Sequence, residues 1–172
     1  MTLQYRHEWA KHQSKLLGEM QELLGITFYK PVIDVSVAPF FIPQSDPLIV
    51  NFGSSPDRFV DVLTHELTHV LLTDNNKMRT RDEEPKLDLI KEWQRMFGKE
   101  HDFNTLVHIP VHAVFKHLFT DVLKDPKRVE RDIKESATFA GGQAYVSAWE
   151  YVNKHDYKTI VDKLRSLYTS VG

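Results

Sequence analysis

The sequence contains no cysteine, almost no net charge and no long apolar run. The lack of cysteine excludes disulfides, thiolate metal sites, iron–sulfur clusters and cysteine nucleophiles. Any transition metal must therefore be held by imidazole and carboxylate groups. Lys and Arg number 22 against 24 acidic residues, and a net charge of -2 does not indicate a nucleic-acid-binding surface. No segment approaches the roughly 18 apolar residues that a membrane helix needs.

The remaining composition is that of an ordinary globular protein, and the length of 172 residues predicts a single domain over residues 1–172. The first residues, MTLQYRHEWAKHQ, lack the apolar centre of a signal peptide. We therefore expect a soluble cytoplasmic protein without a membrane or nucleic-acid partner. The oligomeric state cannot be read from the sequence.

The first half of the chain is predicted to contain two helices on either side of a β-rich segment. Apolar residues at helical spacing predict an amphipathic helix over residues 5–24, which Gly25 ends. Residues 26–52 are rich in β-branched and aromatic side chains and in proline, which predicts two or three short antiparallel strands. Ser55 as N-cap and Pro56 at the first helical position predict a second helix that continues to about Thr73.

The second half is predicted to be mainly helical. The patterns indicate helices over residues 85–97, from Pro110 to about Lys124, and over residues 127–168 with a break near Gly141. The fold class is therefore α+β, with a small antiparallel sheet packed on the second helix and a helical C-terminal half.

The second helix carries the sequence His65-Glu66-Leu67-Thr68-His69, an HExxH motif. Residues i and i+4 of a helix lie one turn apart on the same face, so both imidazoles can reach one zinc ion. Glu66 points to the neighbouring flank, where it can act as general base on a water molecule that the metal activates. The alternative is that these are packed, hydrogen-bonded boundary residues, but two histidines and a glutamate beside an apolar face are costly to bury without partners.

At this motif the chain resembles the zincin metallopeptidases, loosely over residues 26–140. The resemblance implies a zincin-like fold, zinc ligands at His65 and His69, and Glu66 as catalytic base in peptide-bond hydrolysis. It also implies an edge strand that binds extended peptide by strand addition, for which residues 47–53 are the candidate. The metzincin continuation HExxHxxGxxH is absent after His69, so the resemblance does not identify a third ligand.

A catalytic zinc site needs a third protein ligand. His112 is the preferred candidate, because on a helix opened by Pro110 it falls at the edge of the buried face. Glu135, on the following helical segment among small residues, is the second candidate. His108, predicted in the loop before that helix or at its cap, could be a ligand or could bond an oxyanion.

The sequence thus predicts a zinc metallopeptidase that acts on a peptide or protein. The competing hypothesis is a zincin-like regulatory or binding module that holds zinc and has little general proteolytic activity. Tyr145 and Trp149 are interpreted as core residues rather than as contacts to substrate.

Overall fold

The computed structural model describes residues 3–39, 42–51, 55–78, 87–139 and 141–171. Within these ranges the chain forms seven α-helices and three short strands, which confirms the α+β class. The elements in chain order are α1 (Leu3–Leu24), β1 (Ser36–Val37), β2 (Gln44–Ser45), β3 (Leu48–Val50), α2 (Pro56–Thr73), α3 (Leu89–Phe97), α4 (Phe103–His117), α5 (Pro126–Ser136), α6 (Gln143–Lys154) and α7 (Tyr157–Ser170).

The helix α2 lies where the sequence predicts, and α1 ends where predicted but begins two residues earlier, at Leu3. Gly25 follows the last residue of α1. Its backbone has a φ of 68°, a left-handed conformation that glycine adopts without steric cost. Ser55 caps α2 by accepting a hydrogen bond from the backbone N–H of Arg58, and Pro56 occupies the first turn. The HExxH motif therefore lies in the middle of a well-defined helix.

The sheet is mixed, not antiparallel as predicted. Its strand order is β1-β3-β2, with β1 parallel and β2 antiparallel to β3. Residues 48–50 thus form the central strand, so the prediction that residues 47–53 supply the substrate-binding edge was wrong; residues 52–54 lie outside the described ranges. Successive side chains of β3 point to opposite faces of the sheet, so Leu48 and Val50 are buried against α2, which confirms the predicted packing of the sheet on the motif helix.

The helix α4 begins seven residues earlier than the sequence analysis predicts. Asp102 caps it by accepting hydrogen bonds from the backbone N–H and the hydroxyl group of Thr105, so Pro110 lies inside the helix instead of opening it. A π-helical turn over Leu118–Val122 follows the end of α4. The consequence is that His108 and His112 lie on one continuous helix, one turn apart.

The helical C-terminal part is interrupted twice. The predicted break near Gly141 is confirmed: a Cβ on the neighbouring Gly142 would lie 1.9 Å from the Ser136 carbonyl oxygen, so only glycine allows this close approach between α5 and α6. The second break, at Asp156 with φ 56°, was not predicted. The third helix, predicted over residues 85–97, begins at Leu89 because Asp88 caps it. Residues 79–86 lie outside the described ranges.

The helix α4 forms the centre of the main core, where it packs against α2, α6 and α7. The hydroxyl group of Tyr168 in α7 donates a hydrogen bond of 2.6 Å to the carbonyl oxygen of Leu72. None of the helices in the described ranges combines the length and the apolar character needed to cross a membrane.

A cluster of ion pairs joins α5 to the first half of α2. Asp61, whose side chain is fully buried, accepts hydrogen bonds from Arg128 at 2.8 Å and from Arg131. Arg131 also pairs with Asp57 at 2.6 Å, at the surface. Because a buried carboxylate needs cationic or hydrogen-bonding partners, these arginines hold α5 against the motif helix.

We expect Asp61→Asn to lower the free energy of unfolding by about 3 kcal/mol, since it removes the buried carboxylate that pairs with Arg128, Arg131 and, at 3.7 Å, Arg58. The matched control is Asp57→Asn, because the Asp57 side chain is 40% exposed and pairs with the same Arg131. This control should lose about 1 kcal/mol or less. Urea unfolding of both variants measures the difference, and equal losses would contradict the importance assigned to the buried pair.

Candidate metal centre

Four histidines from two adjacent helices lie together in the interior. The helix α2 contributes His65 and His69, and α4 contributes His108 and His112; we call these residues the four-histidine cluster. Each pair has i,i+4 spacing, which places both rings on the same helix face. The contact between α2 and α4 brings the two faces together.

Three members of the cluster form a compact group that could hold a metal ion. One ligand atom from each of His65, His69 and His108 lies within 4.8 Å of those from the other two. The ring centroids of His65 and His69 are 5.0 Å apart, and those of His69 and His108 are 4.9 Å apart. Imidazoles bound tetrahedrally at roughly 2.0–2.1 Å would have centroids about 5 Å apart.

The third ligand indicated by this group is His108, whereas the sequence analysis favoured His112. The reason is the earlier start of α4, which places His108 on the helix and not in a loop. The Nδ1 atom of His108 lies 2.6 Å from the carbonyl oxygen of Asn104, so it serves as donor there and leaves Nε2 for a metal. Glu135 lies outside the group and pairs with Arg58 at 2.7 Å.

His112 is completely buried beside the other three. Its ring centroid is 5.6 Å from that of His65 and 5.6 Å from that of His108. The ring stacks on the indole of Trp149, at 4.2 Å and an interplanar angle of 11°. Among the described residues, neither ring nitrogen of His112 has a hydrogen-bond partner.

The interior site favours neutral imidazoles. Burial lowers the pKa of His65 and of His112 well below the ordinary value, and neighbouring histidines lower each pKa further. Burial, followed by the influence of His108, lowers the pKa of His69 to about 3. A neutral imidazole offers the lone pair that a metal ion requires.

Glu66 lies beside these ligands, 7% exposed. Burial raises the pKa of its carboxyl group to about 8, with no arginine or lysine acting against this shift. A divalent cation on the neighbouring histidines would favour the ionised carboxylate instead. The side chain is thus placed where its protonation state responds to a metal.

An open cleft of about 690 Å³ leads to His65 and Glu66. One wall comes from the residues that precede and follow the β2–β3 hairpin, including Ile42 and Asn51, and the other comes from α5 and α6. Ile42 and Phe139 are exposed apolar residues at the cleft, and Arg58 with Glu135 supplies polar groups.

Tyr145 lines this cleft, contrary to its interpretation as a core residue. It lies in the first turn of α6, half-buried, and its ring centroid is 3.9 Å from that of His108. Burial, with the nearby carboxylates of Glu66 and Asp132, raises the pKa of Tyr145 to about 12. Trp149, one turn later, is a core residue as predicted. The spacing within α6 does not distinguish the two aromatic residues; the position of the cleft does.

Comparison of the chain with family models, with curated proteins and with solved structures gave no match. The resemblance to zincins therefore stays a prediction based on the motif. The functional assignment depends on the geometry of the cluster and the cleft.

We expect His108→Ala to weaken zinc binding by more than about 100-fold, because it removes one imidazole of the compact group. The matched control is His117→Ala, at the end of the same helix, where the ring faces Asp121 at 3.4 Å and lies outside the cluster. Competition with a chelating dye measures both affinities. If His108→Ala binds zinc as tightly as the control, His108 is not a ligand.

Proposed function

We propose that the protein is a zinc-dependent hydrolase that cleaves peptide bonds in the cleft, with His65, His69 and His108 as ligands. The observation that carries the proposal is a set of three imidazoles, with ligand atoms within 4.8 Å of one another, beside a carboxylate on an open cleft. A structural zinc site is closed by four protein ligands, whereas a catalytic site has three and faces solvent or substrate.

The donor set fits zinc. It consists of imidazoles without thiolate, and imidazole suits zinc, copper, iron and nickel, of which zinc has no redox chemistry. When bound, zinc polarises a carbonyl group and lowers the pKa of a water molecule. The hydrogen bond from His108 to the carbonyl oxygen of Asn104 fixes the orientation of that ring for a metal.

Glu66 is the proposed general base. Its carboxylate accepts the proton of the attacking water and then delivers it to the nitrogen of the leaving amine, so the proton is returned in each cycle. The position of Glu66 next to His65 on the helix, with its side chain on the cleft, supports this role. The same carboxylate would be poorly placed as a ligand, because it points to the flank of the helix.

Tyr145 is the proposed donor to the carbonyl oxygen of the scissile bond. Its ring packs on His108, and its side chain shares the cleft with Glu66. The hydroxyl group of a tyrosine is protonated at neutral pH, and burial raises the pKa of Tyr145 further, so this side chain can donate a hydrogen bond. A donor aimed at the oxygen where negative charge develops stabilises the transition state.

A peptide is favoured as substrate by the sheet beside the cleft. The strand β2 is an outer strand, and the two residues directly before it, Ile42 and Pro43, line the cleft. An outer strand offers backbone N–H and C=O groups to an extended chain, which is the basis of strand addition. In this arrangement β2 replaces residues 47–53 as the candidate edge.

We expect Glu66→Gln to lower kcat by about 10²–10⁴-fold while zinc stays bound, because the amide cannot accept the proton. Glu150→Gln, an exposed change on α6, is the control and should keep full activity. Zinc content and cleavage of a broad peptide library are measured on both variants. Full activity of Glu66→Gln would overturn the mechanism. Tight zinc without cleavage by the wild type would favour the binding-module hypothesis.

We expect Tyr145→Phe to lower kcat by about 10–10³-fold with little change in zinc affinity, because it removes one hydrogen bond to the oxyanion. Tyr151→Phe is the matched control, since Tyr151 lies on the same helix but packs against Phe97 and His155, away from the cleft. Steady-state kinetics of both variants on one cleaved peptide test this role. A kcat equal to that of the control would exclude Tyr145 from catalysis.

A further inference from the structure

One side of the cleft is a strip along a single face of α2. The residues of α2 that line the cleft are Arg58, Val62, His65 and Glu66. Positions i, i+4 and i+7 of a helix share one face, so the strip runs from Arg58 past Val62 to His65. At a rise of about 1.5 Å per residue, Arg58 and His65 are roughly 10 Å apart along the helix axis. The cleft therefore has a catalytic end at His65 and Glu66 and, two helical turns away, a far end at Arg58.

The far end presents a carboxylate to the cleft. The Nε atom of Arg58 pairs with Oε2 of Glu135 at 2.7 Å, and the two side chains are 15% and 43% exposed, respectively. Arg58 also pairs with Asp132 at 3.0 Å and with Asp61 at 3.7 Å. Because the guanidinium group is enclosed by these carboxylates, the charged group that the far end offers to a ligand is the carboxylate of Glu135.

The charges at the far end do not balance. Two arginines of α5 pair with Asp61, which leaves Arg58 to be shared by Asp132 and Glu135. Asp132 is buried and accepts a second hydrogen bond from an indole, so its position is fixed. Within the part of the chain that the structure describes, Oε1 of Glu135 has no ion-pair partner. One negative charge is therefore available at this end of the cleft.

We propose that Glu135 is a specificity-determining residue that binds a lysine or arginine side chain of the substrate, about three residues from the scissile bond. This inference rests on the proposed function, because the position is counted from the catalytic end. An extended peptide spans about 3.3 Å per residue, so a chain that follows the strip on α2 covers roughly 10 Å in three residues. A carboxylate has several acceptor sites, so Glu135 can keep its bond to Arg58 through Oε2 and accept the cation through Oε1.

Apolar side chains in the same cleft suit a long cationic residue. Val62 lies on the strip between the two ends, and Ile42 and Phe139 are 83% and 47% exposed where they line the cleft. Lysine and arginine bury their methylene stems along apolar surface while the charged end reaches a polar group. An acidic substrate side chain at the same place would meet the like charge of Glu135.

Paired peptides test the proposal on the zinc-loaded wild-type protein. Arginine is compared with citrulline, which has a similar shape without the charge, at each of the four positions on either side of the bond that is cleaved. We expect kcat/KM to be about 5–30-fold higher with arginine at a position about three residues from that bond. The preference should shrink at high ionic strength, since salt screens a partly exposed ion pair.

The other outcomes separate this inference from the proposed function. Cleavage with equal kcat/KM for arginine and citrulline at every position would overturn the inference and leave the proposed function intact. A preference for glutamate over glutamine near the third position would also overturn it, because Arg58 would then be the recognising group. If no peptide is cleaved, both proposals fall.

Glu135→Gln supplies the second measurement, since it removes the charge and keeps the shape. We expect the ratio of kcat/KM between the arginine and citrulline peptides to fall to about 1, and Glu135→Asp, which keeps a carboxylate, to restore part of the preference. Glu130→Gln is the matched control, because Glu130 is exposed on the same helix and does not line the cleft; it should keep the wild-type ratio. Lost stability or lost zinc lowers both values and leaves their ratio unchanged. A wild-type ratio in Glu135→Gln would overturn the assignment.

Discussion

The contact between α2 and α4 determines where the four histidines of the site lie. Each helix presents two histidines one turn apart, and the contact places the two pairs face to face. Neither pair alone provides more than two ligands. Because helix packing is set by the apolar side chains along both helices, the hydrophobic core and the histidine cluster are parts of one arrangement.

Burial is what makes this arrangement chemically useful. Desolvation keeps the imidazoles neutral and raises the pKa of Glu66 to about 8, and these effects make the metal-free interior costly to form. A bound cation would remove much of that cost by using the lone pairs of the rings and by favouring the carboxylate. A metal ion bound at the cluster, as proposed, would therefore couple its binding to folding.

The ion pairs between α2 and α5 link the cleft to the cluster. Arg58 contacts both Glu135 on the cleft and Asp132 in the interior, and Asp132 holds the indole that stacks on His112. The same helix α2 thus carries the motif, the cleft arginine and the buried Asp61. Substitutions in this network are expected to act on the site through the orientation of side chains, and not only through stability.

The sequence by itself determined the elements whose signals are local. The cap at Ser55 with Pro56 located α2 correctly, Gly25 ended α1, and the HExxH spacing placed His65 and His69 on one helix face with Glu66 on the neighbouring flank. The sequence misled at Pro110, because proline is common at a helix start, and the stronger signal was the cap at Asp102, eight residues earlier. That error moved His108 into a predicted loop and made His112 the preferred third ligand.

Only the tertiary structure decided which residues join the motif. Three features depend on contacts between residues far apart in the chain. They are the order of the strands, the position of Tyr145 on the cleft and the proximity of His108 to His69. Local patterns specify which face of a helix is apolar. They do not specify which element that face packs against or how deeply the helix is buried. The helix periodicity could therefore identify two candidate ligands, while the rest of the centre required the packing of α4, α5 and α6 around α2.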